Sequence, residues 1–457
     1  MHESRLMRLL YTVLLYLAWP WIWCRLRWRA WRFPMYQEAW LERSGHYEKN
    51  NDNARPLIWL HAVSVGETYA AKPLIDRLMV QYPQHRLLLT QMTPTGRVAA
   101  KALLGDSACI HYLPYDYPDA VRRFFVHFKP QVGILMETEI WPNLIHEAHC
   151  RQIPMYLVNA RLSWRSYRRY QIVGRLLSQT LAQLSAVAAQ SEEDAQRLIA
   201  MGANQVSICG NLKFDVKTPC DVTLQAKELQ DLFQGVNAPM VQGVEAQQES
   251  APSKGARFVW LVASSREGEE KLLLEEGAHL FANALPENNS LLPHEKALRS
   301  GLLVIVPRHP QRFDEVATLL ERYHIAYQRR SDRQPIRDST QVVLGDTMGE
   351  MFAYYAASDV AFIGGSLLSH GGQNLIEASA MGKPVLIGPH TFNFSKVAEN
   401  AIAMGAANRV KDAKALVLAV KNIMKDPQKR SAMSLAASQF SQAHRGATEK
   451  ILHVLRF

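Results

Sequence analysis

The chain has 457 residues, of which 48% are hydrophobic and 21% charged, and its 52 Lys and Arg against 42 Asp and Glu give a formal net charge of +10. This composition is typical of a globular protein of roughly two or three domains and excludes a disordered, collagen-like or fibrous chain. Its five cysteines lie far apart with no CxxC pair, which predicts neither a zinc site nor a disulfide framework and indicates a reducing compartment.

The first 33 residues predict a membrane anchor. An uncharged run over residues 9–24 is slightly shorter than the roughly 20 residues that cross a bilayer upright, and tryptophans cluster in and after it. More arginines follow the run than precede it, so the positive-inside rule places the rest of the chain on the cytoplasmic side. The run either spans the membrane or lies partly embedded in it; the alternative is a buried amphipathic helix of a soluble fold.

From about residue 56 the chain alternates short apolar runs with longer helical patterns, which predicts parallel sheets with crossover helices. The predicted strands of a first domain are 57–62, 87–90, 132–136, 156–158, 187–189 and 206–209. Those of a second domain are 258–263, 302–306, 342–344, 360–363 and 384–387. The fold class is therefore α/β, with two doubly wound domains.

The predicted organisation is an anchor over 1–33, an N-terminal domain over 34–215, a polar linker over 216–256, a second domain over 257–430 and a C-terminal helix over 431–457. Residues 286–300 are interpreted as a surface insertion. Ligands of open α/β sheets bind beyond the carboxyl ends of the strands. We therefore expect two sheets that face a cleft, with one wall for each of two substrates.

Carboxylates follow the first and third predicted strands. Glu67 comes after a glycine turn at the start of a helix, where the helix dipole stabilises its ionised form. It is either a general base or a residue that starts the helix. Glu137 and Glu139 follow strand 132–136, where unpaired burial would be costly, so we expect one to face the cleft and the other to meet an Arg or a backbone donor. The alternative is helix capping before Pro142.

Basic residues follow the later strands of the first domain. Residues 151–175 hold six arginines and no acid, which would attract an anionic headgroup or a phosphorylated acceptor; a solvated helix face is the alternative. The predicted acceptor-facing or membrane-facing cations are Arg161, Arg165, Arg168 and Arg169. Lys213, after the last strand, places an ammonium group where it can neutralise a phosphate or a carboxylate.

The second domain carries features of a nucleotide site. Arg308, between two prolines, can form a fork on a phosphate. Glycines at successive strand ends let the backbone approach a ligand, and the expected helix start at Asn374 can receive a phosphate while Glu377 accepts from ribose hydroxyls. The chain has neither a GxxxxGK[ST] P-loop nor a GxGxxG string, so ATPase and dinucleotide functions are weakly supported.

Seven ordered motifs together resemble the 3-deoxy-D-manno-octulosonic acid (Kdo) transferases of lipopolysaccharide synthesis. They are HAVSVGE (61–67), METEIWPN (136–143), NARLS (159–163), GNLKFD (210–215), PRHPQRF (307–313), GDTMGEM (345–351) and GGQNLIEASAMGKPVLIGPHTFNF (371–394). The resemblance implies a GT-B fold and an inverting transfer of Kdo from CMP-Kdo to a lipid A precursor, lipid IVA, without metal or other cofactor. It also implies a bacterial inner-membrane location, an anionic lipid surface as partner, and no nucleic acid partner.

The resemblance also implies site residues by motif position. Glu67 corresponds to the general base, and Glu137 and Lys213 to groups that support the transition state. The implied CMP site comprises Pro307, Arg308, Met348, Gly349, Glu350, Asn374, Leu375, Ile376 and Glu377. Gln373 stands where a His is expected in many relatives.

Two other readings of the residues remain open. One keeps the fold and exchanges the reaction for that of a nucleotide-sugar epimerase or a UDP-sugar transferase. The other is a non-enzymatic, membrane-attached binding module for anionic lipid or RNA, which explains the charge but gives Glu67 and Glu137 no purpose. Inversion itself needs one base opposite the leaving group, and Glu67 suits that role.

Overall fold

The computed structural model describes residues 2–48, 55–219, 221–234, 257–281 and 301–456. The chain divides into two compact units. Unit 1 is Met1–Lys217 together with His444–Phe457, and unit 2 is Thr218–Ala443. Each unit is built on one parallel sheet of seven strands.

The strands are β1 Leu57–His61, β2 Arg86–Gln91, β3 Cys109–Tyr112, β4 Val132–Met136, β5 Met155–Ala160, β6 Ala186–Ala189, β7 Val206–Ile208, β8 Val259–Ser265, β9 Leu302–Pro307, β10 Tyr327–Arg329, β11 Val342–Leu344, β12 Val360–Ile363, β13 Val385–Ile387 and β14 Ala407–Arg409. The α-helices are α1 His2–Arg32, α2 Val65–Gln81, α3 Pro94–Leu104, α4 Pro118–Phe128, α5 Pro142–Cys150, α6 Trp164–Tyr170, α7 Gly174–Ala182, α8 Glu192–Ala200, α9 Val222–Phe233, α10 Glu269–Phe281, α11 Phe313–Arg322, α12 Met351–Ala357, α13 Ile376–Ala380, α14 Ser395–Ala403, α15 Ala413–Lys425, α16 Pro427–Ala443 and α17 Ala447–Val454. Short 3-10 helices lie at Pro34–Gln37, Trp40–Ser44, Gly105–Ser107, Gln171–Val173, Leu212–Asp215, Pro310–Arg312 and Arg330–Asp332.

The strands near the centre of each sheet are apolar because both of their faces are covered. In β1 every residue is buried, and alternate side chains enter different cores: Ile58 and Leu60 pack on one face, Leu57 and Trp59 on the other. This alternation follows from the two-residue period of a strand.

The strand order places a reversal point in each sheet. Unit 1 has the order β3-β2-β1-β4-β5-β6-β7, so the chain changes direction between β1 and β4. Unit 2 has the order β10-β11-β9-β8-β12-β13-β14, with its reversal between β8 and β12. At such points the loops beyond the carboxyl ends of the strands diverge and leave a crevice for a ligand.

All of the predicted strands are present, with ends that differ by at most two residues. The sequence missed β3, β10 and β14, which lie at sheet edges. Each is short and includes polar or half-exposed residues, as in Tyr327–Arg329, because an edge strand is covered less completely than a central one.

The C-terminal segment differs from the prediction of one helix over 431–457, which is wrong. The structure has α16 and α17 instead, separated at Gly446, whose φ is +98°. Asp215 holds the second helix, because its carboxylate accepts hydrogen bonds from the backbone N–H of Gly446 at 2.7 Å and of Thr448 at 2.6 Å. Ile451 then packs into a core of unit 1, so the end of the chain completes the first unit.

The predicted linker over 216–256 is partly structured. Helix α9 lies within it, belongs to unit 2 and packs against α12 through buried residues such as Leu229 and Phe233. Residues 235–256 and the predicted insertion over 286–300 lie outside the described residues.

Helix α1 carries the segment that was predicted as an anchor. Its part Leu6–Arg32, with a mean hydropathy of 1.3, is the one helix among the described residues that is long and apolar enough to cross a membrane. Of those side chains only Leu26 and Ala30 are buried. The alternative of a buried helix in a soluble core therefore does not hold.

Candidate active site

Glu67 lies just beyond the carboxyl end of β1, in the first turn of α2. Ser64 caps this helix, and the contacts are reciprocal: the Glu67 backbone N–H donates to the Ser64 hydroxyl at 3.4 Å, and that hydroxyl donates to Glu67 Oε1 at 3.1 Å. The backbone N–H of Val63 donates to Oε2 at 2.8 Å. This arrangement fixes the carboxylate against the loop in the manner of a capping box.

The environment of Glu67 favours its protonated form. Burial and then the negative charge of Glu137 together raise its pKa to about 7, against the lowering effect of the Val63 hydrogen bond. A carboxylate that titrates near neutral pH can both remove a proton and hold it. The two sequence interpretations, helix start and general base, are therefore compatible in one residue.

Glu137 follows β4, and its left-handed backbone conformation, with φ of +55°, is uncommon for a residue with a side chain. Its Oε1 atom lies 3.2 Å from Lys213 Nζ, and about a fifth of each side chain is exposed. Asn159, at the end of β5 with φ of +52°, positions the lysine loop because its Oδ1 accepts from the Leu212 N–H at 3.0 Å. The predicted pair of Glu137 and Lys213 is thus brought together by three strand ends.

Glu139 has partners that differ from the expected ones. Its Oε2 accepts from the indole N–H of Trp141 at 2.7 Å and lies 3.8 Å from Nε2 of the buried His61. The expectation that one of the two carboxylates meets an Arg or a backbone donor is wrong, because the partners are a lysine, an indole and an imidazole. His61 is therefore a neighbour of this site for which the sequence predicted no role.

Helix capping before Pro142 is also wrong as an account of these carboxylates. The residue that caps α5 is Asp116, whose carboxylate accepts from the backbone N–H groups of Asn143 at 2.9 Å and Leu144 at 2.7 Å. Neither Glu137 nor Glu139 is the acceptor for these N–H groups at the start of α5.

The four predicted arginines lie on and before a short exposed helix. Arg161 follows β5, and α6 begins at Trp164. Arg165, Arg168 and Arg169 are exposed there. Trp164, on the same helix, is 61% exposed, so this surface combines cationic and aromatic groups.

In unit 2, three strand ends meet around Arg308. Its backbone N–H donates to the Ser265 carbonyl at 3.0 Å, and its Nε donates to Gln373 Oε1 at 3.2 Å. The Gln373 N–H in turn donates to the Gly364 carbonyl at 3.0 Å. A Cβ at Gly364 would lie 2.5 Å from the Ser264 carbonyl oxygen, so only glycine permits this close approach.

Two buried acids shape this end of unit 2, and sequence reasoning missed them. The Glu269 carboxylate accepts from the backbone N–H groups of Arg266 at 2.9 Å, Gly365 at 2.6 Å and Leu367 at 2.9 Å. Glu270 accepts from Arg312 and from the Ser265 hydroxyl. The sequence signal that could have revealed them is the pair of consecutive acids at the start of a helix that follows an apolar strand.

The remaining predicted nucleotide residues lie in two loops. Asn374 bridges one of them, because its Nδ2 donates to Glu377 Oε1 at 2.9 Å and its Oδ1 accepts from the Ile376 N–H at 3.1 Å. The helix expected from Asn374 begins only at Ile376 and has five residues. In the other loop Gly349 has φ of +87°, next to an exposed Met348.

Glu350 is paired within its own unit. Its Oε1 accepts from Arg330 at 3.1 Å, and its Oε2 accepts from the Thr347 hydroxyl. Pro307 ends β9, directly before Arg308. No group of three or more His, Cys, Asp or Glu side chains within the described ranges could hold a metal ion.

Comparison with known proteins gives the family. Residues 38–216 match the family model described as 3-deoxy-D-manno-octulosonic-acid transferase (kdotransferase), and residues 326–440 match glycosyl transferases group 1. The 3-deoxy-D-manno-octulosonic acid transferase of Bordetella pertussis is 40% identical over 96% of this chain and 95% of its own length. The chain belongs to the Kdo transferase family. The enzyme of the same name from Haemophilus influenzae is 34% identical over 98% of both chains.

A solved structure agrees on the fold. UDP-GlcNAc 2-epimerase from Neisseria meningitidis, bound to UDP-GlcNAc, superposes with a TM-score of 0.56 at 15% identity, covering 87% of this chain and 99% of that one. Identity this low shows the fold alone. This Kdo transferase therefore has a GT-B fold and is a glycosyltransferase, and the epimerase, UDP-sugar transferase and binding-module alternatives do not hold.

Proposed function

We propose that this Kdo transferase moves Kdo from CMP-Kdo to a lipid A precursor, lipid IVA, in lipopolysaccharide core biosynthesis, with inversion and without a metal ion. The observation that carries the proposal is Glu67, a fixed carboxylate at the reversal point of the unit 1 sheet whose pKa is about 7. The relatives named above support the sugar, and the family motifs support the donor and the acceptor.

Glu67 acts as the general base. The acceptor hydroxyl must lose its proton as its oxygen attacks the anomeric carbon of Kdo from the face opposite the nucleotide, and one base accomplishes this in a single displacement. Glu137 and Lys213, 3.2 Å apart, form a charge pair beside it. Lys213 partly neutralises Glu137, and the pair stabilises charge that develops in the transition state.

Unit 2 binds the leaving CMP. Arg308 is a planar cation that can contact the phosphate with two parallel hydrogen bonds. Asn374 and Glu377 present amide and carboxylate oxygens that can accept from ribose hydroxyls. The backbone at Gly349 and Gly364 allows close approach of the nucleotide. Arg308 would supply positive charge that other transferases obtain from Mg²⁺.

Location follows from the N-terminal sequence. The apolar segment within α1 and the arginines that follow it support attachment to the bacterial inner membrane, with both units on the cytoplasmic face. The Arg161–Arg169 surface faces the anionic lipid headgroups or the phosphorylated acceptor.

The test is incubation of the full-length enzyme with CMP-Kdo and tetraacylated lipid A precursor, with the product masses read directly. We expect a mass increase of one or more Kdo units on the precursor, released CMP, and unchanged rates in excess EDTA. The Glu67→Ala enzyme is the control for background. No transfer by enzyme that still binds CMP, or a rate that EDTA abolishes, would contradict the proposal.

A further inference from the structure

Helix α1 is attached to the body of unit 1 by polar side chains on one of its faces. The Tyr11 hydroxyl donates to Asp116 Oδ2 at 3.0 Å, and Asn143 Nδ2 donates to the Thr12 hydroxyl at 3.1 Å. Asp116 is buried and is the residue that caps α5. We call these two contacts the polar latch.

The attachment continues along the same face. The Tyr16 hydroxyl donates to Asp119 at 2.7 Å, and the Tyr117 hydroxyl donates to the Leu15 carbonyl at 3.1 Å. The ring of Trp19 meets that of Tyr117 edge-on with 5.2 Å between centroids. Further along, Leu26 and Ala30 are buried, so α1 lies along unit 1 for most of its length.

These contacts fall inside the apolar run that would have to occupy the bilayer. A helix that spans upright needs roughly 20 residues free of the protein body. With residues 11–19 attached, a spanning α1 would carry Asp116, Asn143 and the start of α5 into hydrocarbon, or would break the latch and leave buried polar groups unpaired.

The opposite face of α1 is apolar along the whole helix. Its residues recur at spacings of three or four, and the large side chains are between 46% and 80% exposed. This apolar stripe consists of Leu6, Leu10, Val13, Leu17, Trp21, Cys24, Trp28 and Trp31. An exposed stripe of this length on one face is typical of a helix that lies in a membrane interface.

Arginines stack on two tryptophans of the stripe and on Trp23. Their guanidinium carbons lie over the ring of the tryptophan four residues earlier at 5.3, 4.5 and 5.6 Å in the pairs Arg25 with Trp21, Arg27 with Trp23, and Arg32 with Trp28. Such side chains cover apolar surface with their stems while the charged heads reach lipid phosphates.

The α6–α7 region of unit 1 also exposes apolar and basic side chains. Helix α7 contacts α1, and the segment before it exposes Ile172 at 84% and Val173 at 41%. Trp164 and the arginines of α6 precede them. Unit 1 therefore has apolar and aromatic groups with arginines, and no acids, over 161–175, the segment that leads into α7.

We propose that α1 does not cross the membrane but lies along it, with the apolar stripe at the boundary between headgroups and acyl chains of an anionic leaflet and the polar latch holding it to unit 1. Helix α5, which the latch contacts, directly follows the loop that carries Glu137 and Glu139. Resting on the proposed function, this attachment places the acceptor site beside the leaflet that contains the lipid acceptor.

The decisive test is labelling of the N-terminus in spheroplasts. The full-length chain with Glu3→Cys, in a background whose five native cysteines are replaced, is treated with a membrane-impermeant maleimide. We expect labelling only after the inner membrane is permeabilised, as for the control Asp106→Cys in the body of unit 1. Labelling of Glu3→Cys in intact spheroplasts would show that α1 spans and would overturn the proposal.

A second test concerns the stripe itself. Full-length Leu10→Glu/Leu17→Glu should bind vesicles of phosphatidylethanolamine with phosphatidylglycerol at least tenfold more weakly than the parent, whereas the control Leu418→Glu/Leu435→Glu, exposed in unit 2, should bind equally. The proposal would be overturned if both variants bound vesicles equally well. It would also be overturned if the parent protein dimerised through the stripe and did not bind vesicles.

These readouts do not depend on sugar transfer. Failure of the transfer assay with normal labelling and vesicle binding would remove the proposed reaction and leave the membrane geometry intact. Labelling of Glu3→Cys in intact spheroplasts together with normal transfer would remove the proposed membrane geometry and leave the proposed reaction intact.

Discussion

Glu137 follows β4 and Lys213 follows β7, two strands that β5 and β6 separate in the sheet, yet their side chains approach to 3.2 Å. The pairing is possible because Glu137 turns back in a left-handed conformation and Asn159 holds the lysine loop. Among the described residues no cation pairs with Glu67, and its carboxylate accepts from the Val63 N–H and the Ser64 hydroxyl. One acid is thus paired with a cation, and the other, Glu67, has its pKa raised to about 7.

The first prediction concerns the pH dependence of the reaction. Because the base must be ionised and its pKa is about 7, kcat/KM should rise with pH to a plateau, with a midpoint near 7. Glu137→Gln removes the like charge that raises the Glu67 pKa, so the midpoint should move to lower pH. The measurement is kcat/KM across pH 5 to about 9.

The control for that profile is Glu192→Gln, which removes an exposed acid at the start of α8. Its midpoint should match that of the parent. A midpoint unchanged by Glu137→Gln would mean that another group controls the profile.

The second prediction is that Glu67→Ala retains its fold and CMP binding but loses roughly two to four orders of magnitude in rate, the usual scale for a positioned base. The capping contact is lost as well, but α2 keeps Ser64 as its N-cap. Circular dichroism and CMP titration accompany the kinetics. Turnover close to the parent rate would remove Glu67 from the mechanism.

The central strands could be predicted from sequence because burial on both faces demands continuous apolar runs, as in β1 and β9. The edge strands could not, because Tyr327–Arg329 and Ala407–Arg409 are half exposed and resemble loops. The two-helix C-terminus was missed for a different reason. Its break at Gly446 is stabilised by Asp215, a residue of the first unit far away in the chain.

The candidate site shows the same limit. Carboxylates at strand ends were visible in the sequence because each follows an apolar run. The His61 partner of Glu139 was not visible, because that contact depends on β1 and β4 being neighbours in the sheet. The Glu269 contacts to two loop N–H groups beyond β12 were hidden for the same reason.

The third prediction is that Arg308→Ala weakens CMP binding by about 1.5 to 3 kcal/mol, as expected for a lost hydrogen bond to a charged group. Arg308 is exposed, with Gln373 as its side-chain partner, so its removal should not affect folding. Arg322→Ala, an exposed arginine at the end of α11, is the matched control. Calorimetric CMP affinity that is equal in both variants would contradict the assignment.

The fourth prediction concerns the buried Glu269. Replacing it with Ala leaves three backbone N–H groups at the ends of β8 and β12 without their acceptor, so the free energy of unfolding should fall by about 2 to 4 kcal/mol. CMP affinity should fall too, because the Gly364–Gly365 turn loses its support. Glu276→Ala, an exposed acid on α10, should change neither quantity in denaturant unfolding and CMP titration.

The fifth prediction concerns stability against pH for Glu67→Gln. The pKa of Glu67 is raised from 4.5 to about 7 in the folded state, so the native protein binds this proton more tightly than the unfolded chain. Its contribution to stability is therefore complete below pH 4.5 and is lost as pH rises through about 7. Glutamine does not titrate, so the parent should lose about 1 to 3 kcal/mol relative to the variant between those limits, after allowance for its partial exposure.

The free energy of unfolding of the Glu67→Gln variant should still fall in part as the pH rises. Asp116, buried beneath α1, also has its pKa raised to about 7 by burial, and it contributes with the same sign. Urea unfolding at pH 5 and 8 separates the contributions of Glu67 and Asp116 to the pH dependence of stability. Glu67→Gln removes only the contribution of Glu67, and the control Glu192→Gln removes neither. Parallel curves for parent and Glu67→Gln would mean that the Glu67 carboxyl has an ordinary pKa in the folded protein, which would also weaken its case as the base.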